Sequence, residues 1–174
     1  MSAVEDTFVS HLVELRDRLI RAQIAIAVVF VALCLYPGPS AIYDWLAAPL
    51  TRELHGAKMI ATGVITPFMV PIKLTMMVAF IVALPVVLYQ AWAFVAPGLY
   101  SHEKKLVMPL VVSSTLLFLG GIAFCYYLVF GQVFRFIAGF APQSITPAPD
   151  IEQYLSFVLT MFLAFGVAFE VPVA

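Results

Sequence analysis

The stretch FVAPGLYSHEKK, Phe94 to Lys105, is the one short polar connection between two long apolar runs, and the rest of the chain arranges itself around it. Pro97 and Gly98 disfavour a continuous helix, so the run before them is expected to stop near Trp92. Ser101 can cap the helix that follows. Glu103 then falls in that helix's first turn, where the positive end of the peptide dipoles favours a carboxylate, and Lys104 and Lys105 come directly after it. A capped turn accounts for these residues structurally; a further role for Glu103 requires a partner.

The apolar runs set the solvent. Hydrophobic residues make up 63% of the chain and charged residues 11%, with a mean hydropathy of +1.04, far from the balance of a soluble domain. The sequence is that of a membrane protein. A net charge of -1 argues against nucleic acid, which needs a clustered basic surface. Cys34 and Cys125 lie inside apolar runs without a His or second Cys at ligand spacing, so they read as packing residues, with neither a disulfide nor a metal site expected. A cleavable export signal is not expected, because the first apolar run follows a polar segment with Glu5, Asp6, Glu14 and Asp17. There is no Walker loop, no Gly-x-Ser-x-Gly elbow and no His-Glu-x-x-His, so the chain is not expected to be an enzyme or to need a cofactor.

Four runs are long enough to cross a bilayer: 19–36, 68–92, 106–130 and 154–174, of 18, 25, 25 and 21 residues. A hydrocarbon core about 30 Å thick needs roughly 20 helical residues, so the first helix should extend backwards toward Leu12. Phe8, Leu12, Leu15, Leu19, Ala22 and Ile26 predict its packing seam. The fold class is therefore all-α, a polytopic bundle forming one transmembrane domain over residues 1–174. Between Pro37 and Pro67, a short helix with Ile42, Trp45, Leu46 and Leu50 on one side is expected to lie on the membrane surface. The second span has Lys73 near its start, expected to snorkel outward, and Pro85 within it, expected to bend it. Ser113, Ser114, Thr115, Gly120 and Gly121 in the third span let another helix approach closely. Residues 131–153 read as a loop, closed by Asp150 and Gln153 as a capping box for the last span. There, Ser156, Thr160, Ala164 and Ala168 form a stripe expected to face another helix.

Arg16, Arg18, Arg21, Lys104 and Lys105 crowd two short flanks, whereas Arg52, Lys58, Lys73 and Arg135 are spread over the opposite side. The positive-inside bias then places the N-terminus and the Phe94–Lys105 turn in the cytoplasm. Glu170 lies 16 residues past Tyr154, roughly 24 Å along a helix, and an acid at that depth is expected to face a polar groove. Glu14 has an ordinary helix partner in Arg18, as Asp17 has in Arg21. Even so, Glu14 and Glu103 share one face, and two carboxylates beside helix ends can hold two guanidinium groups.

At these residues the chain resembles the TatC family, the polytopic receptor subunits of the twin-arginine protein translocase. Four stretches carry the resemblance: HLVELRDRL from His11, ITPFMVPIKL from Ile65, FVAPGLYSHEKK from Phe94, and YLSFVLTMFLAFGVAFEVP from Tyr154. It implies a multi-pass protein of the bacterial cytoplasmic (inner) membrane with a cytoplasmic N-terminus. The implied function is the binding of signal peptides with paired arginines, so that folded cargo proteins are exported. By matching position, Glu14 and Glu103 inherit arginine binding, Phe94, Pro97 and Tyr100 shape the loop, and Leu12 and Arg16 belong to the same N-terminal site. Glu170 matches the family's acid on a concave, glove-like face. The implied partners are those signal peptides, the single-span proteins TatA and TatB, the lipid bilayer and further copies of the chain in a larger complex, with no nucleic acid. The family fold has six spans, of which four are expected here. The alternative class is a proton-coupled small-solute transporter, which would be expected to show an internal repeat; the four runs show no self-similarity.

Overall fold

The computed structural model describes residues 3–53, 59–99, 107–140 and 148–173. Its helices are α1 (Ala3–Leu35), α2 (Pro39–Glu53), α3 (Thr66–Leu99), α4 (Val107–Phe124), α5 (Phe130–Phe140) and α6 (Ile151–Glu170), with a five-residue π turn, Cys125–Val129, joining α4 to α5. Four stretches are long and apolar enough to cross a membrane: Phe8–Leu35, Thr66–Val95, Val107–Ile137 and Ile151–Glu170. No strand occurs among the described residues; Ile60 and Asp150 form one isolated parallel bridge.

α1 has 33 residues and begins well before Leu12, so the amphipathic start and the span are one rod, about 50 Å long. It ends at a turn where Gly38 takes a φ of 96°, a left-handed conformation that suits glycine, and donates its N–H to Leu33. α3 has 34 residues, passes Pro85 without interruption and continues through Pro97 to Leu99. The expected stop near Trp92 is thus several residues early. Near a helix end a proline forfeits a single backbone bond, so it is tolerated there.

The expected loop at 131–153 is half helix. α5 carries the third span on to Ile137 and ends at Phe140, because burial of Phe130 and Phe134 offsets the cost of about 1 kcal/mol for Gly131 inside a helix. The π turn sits within this span and places Tyr126 against Trp45, with stacked rings 5.4 Å apart. α2 is the expected short helix, but Ile42 and Leu46 are buried in the protein core while Trp45 remains exposed. The core at this end gathers Val70, Leu74, Phe130, Phe134, Tyr154, Val158 and Phe162, with the rings of Phe130 and Phe162 stacked at 5.5 Å.

α4 and α6 meet along two glycines. A Cβ on Gly121 would lie 2.5 Å from the Phe165 carbonyl oxygen, and one on Gly166 would lie 2.6 Å from the Phe118 ring. Gly121 is an expected contact; the stripe Ser156, Thr160, Ala164 and Ala168, expected to face another helix, is exposed at all four positions among the described residues. α6 packs through Val158, Phe162 and Gly166 instead. The α1 seam is likewise rotated: Ala22 is buried and Leu15 and Ile26 are half-buried, but Phe8, Leu12 and Leu19 are exposed. In lipid an apolar residue gains nothing by leaving the outside of the bundle, so apolar spacing alone does not mark the packed face.

Candidate functional site

α1 and α3 are antiparallel. Leu33, near the C-terminus of α1, packs on the cluster around Val70 and Leu74, and His11, near its N-terminus, meets Phe94 with ring centroids 5.0 Å apart. That contact brings the HLVELRDRL segment to the C-terminal end of α3. His11 Nδ1 also lies 3.9 Å from Glu14 Oε2, one helical turn on. Glu14 and Phe94, expected from sequence to serve one site, are therefore linked through a residue that the sequence reading quoted but did not single out. The available signal was the three-residue spacing from His11 to Glu14.

Glu14 is engaged within its own helix. Arg18 donates from both Nε, at 3.0 Å, and Nη2 to Glu14 Oε1. The matching contact between Asp17 and Arg21 does not form: the ion pairs among the described residues are Glu14 with Arg18, Glu14 with His11, and Lys73 with Glu152. Ser10, Val13, Glu14, Asp17, Arg18 and Arg21 line a shallow groove of about 390 Å³. Leu12 and Arg16 are exposed on α1. Pro97 lies in the last turn of α3. Tyr100, Ser101 and Glu103 lie outside the described residues. One turn inside α3 from Phe94, Gln90 has a buried side-chain oxygen with no hydrogen-bond partner among the described residues. Sequence reading gave no reason to choose it.

At the same end, Trp92 Nε1 donates to Ser114 on α4 at 3.3 Å, which satisfies a hydroxyl in an otherwise apolar seam. Glu170, the last residue of α6, has one buried carboxylate oxygen, again without a hydrogen-bond partner among the described residues.

The opposite end is held by polar contacts that cross the chain. Asp150 caps α6 by accepting from the N–H groups of Glu152 and Gln153, and its other oxygen accepts from Thr62 N–H at 3.1 Å and Thr62 Oγ1 at 2.6 Å. The Thr62 hydroxyl, aided by these backbone N–H groups, holds the Asp150 carboxyl below its ordinary value. Ile60 and Asp150 form the parallel bridge, in which Ile151 N–H reaches Ile60 O at 2.9 Å. Lys73, expected to snorkel outward, is half-exposed and pairs with the similarly exposed Glu152 at 3.1 Å.

This architecture has known counterparts. The profile of the family described as "Sec-independent protein translocase protein (TatC)" matches residues 10–174. The chain belongs to the TatC family. The TatC protein of Haemophilus influenzae is 52% identical over 177 residues, covering 100% of this chain and 68% of that protein. The TatC protein of Escherichia coli K12 is 53% identical over 175 residues, covering 99% and 67%. A crystal structure of the twin-arginine translocase receptor TatC superposes with a TM-score of 0.82 at 39% identity, covering 94% of this chain and 72% of that one. As a member of the TatC family the chain is a component of Sec-independent protein translocation. That sets aside the small-solute transporter. Its bacterial relatives and four apolar helices make it a multi-pass bacterial membrane protein.

Proposed function

We propose that the end of the bundle formed by the N-terminal half of α1 and the C-terminal end of α3 binds the paired arginines of signal peptides, with Glu14 and Glu103 as the anionic partners and Leu12, Arg16, Phe94, Pro97 and Tyr100 around them. The observation that carries this reading is the His11–Phe94 ring contact, because it joins two motifs 83 positions apart around Glu14. Phe94 supplies a ring face on which a guanidinium can stack, and Glu14 a carboxylate that already accepts two guanidinium donors from Arg18. This end faces the cytoplasm of a bacterial inner-membrane protein, in keeping with the crowding of Arg16, Arg18, Arg21, Lys104 and Lys105 on its flanks. TatA, TatB and further copies of the chain complete the translocating complex.

A peptide with two consecutive arginines is expected to bind about tenfold more weakly to Glu14→Gln and to Glu103→Gln, since a hydrogen bond to a charged group is worth about 1.5–3 kcal/mol. Its counterpart with two lysines keeps the charge and loses the planar fork, so it should bind less well and respond less to either substitution. Titration of both peptides in detergent, with folding checked by thermal melt, tests the reading. Equal loss for both peptides together with a lowered melt would mean that the acids serve only the fold.

A further inference from the structure

Glu14 presents a contradiction for any role in binding an incoming arginine, because an arginine of its own chain already occupies it. Arg18 approaches Glu14 Oε1 with two donors, the same fork a peptide arginine would use. Its side chain is 21% exposed, against 39% for Glu14, so the occupant is the more enclosed member and the carboxylate stays accessible from outside. Among the described residues, the cation paired with the second carboxylate oxygen is His11, whose Nδ1 lies 3.9 Å away, too long for a hydrogen bond. An incoming arginine can therefore begin at Oε2 before Arg18 leaves Oε1.

Displacing Arg18 requires somewhere for its guanidinium to go. α1 and α3 run antiparallel, and His11 lies against Phe94. Four residues along each helix in the opposing directions, about 6 Å, bring Leu15 opposite Gln90. A side chain on a helix leans toward the N-terminus of that helix, so the Arg18 fork stands at the level of Glu14 and Leu15, the level of Gln90. Gln90 Oε1 is the buried acceptor that has no hydrogen-bond partner among the described residues.

We propose that Arg18 is a built-in competitor for the arginine site at Glu14, and that Gln90 Oε1 receives its guanidinium when a peptide arginine takes the carboxylate. This inference rests on the peptide-binding reading above. The pair sets a threshold: a ligand that offers one weak cation does not displace Arg18, whereas an arginine with its neighbour held elsewhere does. The apparent affinity of the site is reduced by the fraction of time that Glu14 is free. A half-exposed pair four residues apart in a helix keeps the carboxylate occupied by a factor of about two to five.

The test is titration of the detergent-solubilised chain with a synthetic peptide carrying two consecutive arginines. Arg18→Met keeps the aliphatic stem and removes the fork, so it is expected to tighten binding by about two- to fivefold. The gain should vanish in Glu14→Gln, where there is no carboxylate to unmask. Gln90→Leu should weaken binding when Arg18 is present and have no effect in the Arg18→Met background. Unchanged or weaker binding by Arg18→Met overturns the competitor. If that variant does not fold, Arg18→Lys, which retains charge but not the paired donors, should tighten binding by a smaller factor, and no tightening overturns the proposal equally. A neutral Gln90→Leu in both backgrounds removes Gln90 from the exchange. Wild-type affinity in Glu14→Gln would instead overturn the peptide-binding reading itself, whereas a weakened Glu14→Gln with a neutral Arg18→Met overturns only the competitor.

Discussion

The two ends of the bundle use charged and polar side chains in opposite ways. Around Asp150 the contacts join residues far apart in sequence: Thr62 to Asp150, Lys73 to Glu152, and Ile60 to the start of α6. Around Glu14 the ion pairs are three and four residues apart on one helix. A local, partly exposed pair of that kind contributes about 0.2–1 kcal/mol, whereas hydrogen bonds from several donors to one carboxylate contribute more than a neutral bond each. One end is thus fixed by tertiary contacts, and the other keeps charges that can change partner at little cost.

The largest expected effect erases the distinction. Gly121→Val places atoms where the Phe165 carbonyl already lies 2.5 Å from the Cβ position, and backbone cannot move aside as a side chain can. It should cost about 3 kcal/mol or more, lowering the thermal melt and abolishing peptide binding together. Retained stability would mean that α4 and α6 separate freely.

Glu170 sharpens the comparison, because its buried oxygen finds no hydrogen-bond partner among the described residues. An unsatisfied buried acceptor costs about 1–3 kcal/mol, so Glu170→Leu should melt at a higher temperature than wild type while export of a folded cargo declines. Glu170→Gln, keeping size and an acceptor, should export better than the Leu variant. A lower melt for Glu170→Leu would show that the carboxylate stabilises the fold.

The smallest effect separates the ends most cleanly. Asp150→Asn should lower the melting temperature and leave peptide affinity unchanged, since the contacts it weakens lie at the end remote from Glu14. The folded-state value of Asp150 is depressed below its ordinary 3.8, so its contribution is fully present above that value. It is lost as pH falls through the lower folded value. Melts of wild type and Asp150→Asn should accordingly begin to converge below pH 3.8 and meet once the pH is under the depressed folded value. A gap that persisted there would assign the effect to packing and not to charge.

The sequence was most legible where the solvent dictates the answer. Long apolar runs with few charges gave the four spans, and the short polar turn from Phe94 to Lys105 marked where a site is expected. It was least legible at packed faces, as Leu19 on α1 and the Ser156–Ala168 stripe on α6 show, because lipid and protein interior reward the same side chains. α5 was missed because the prolines toward Asp150 made the whole of 131–153 read as one loop, and only the buried Phe130 and Phe134 reveal the helix. At the candidate site, Glu14 and its Arg18 partner followed from spacing alone. The His11–Phe94 contact did not, since nothing local links residues on two helices whose rotation the pattern leaves open. Tyr100 and Glu103 lie outside the described residues.

The fastening at Asp150 holds one end, so any tilt of α3 would turn about that point. It ties residues just before α3 to the first turn of α6, so both rods are anchored at the same end. α3 is 34 residues long, a lever of about 51 Å. A tilt of about 5° at the pinned end, small enough to spare a hydrogen bond its geometry, carries the far end through roughly 4 Å. Modest leverage at one face of the membrane would thereby be magnified into the width of a side chain at the other.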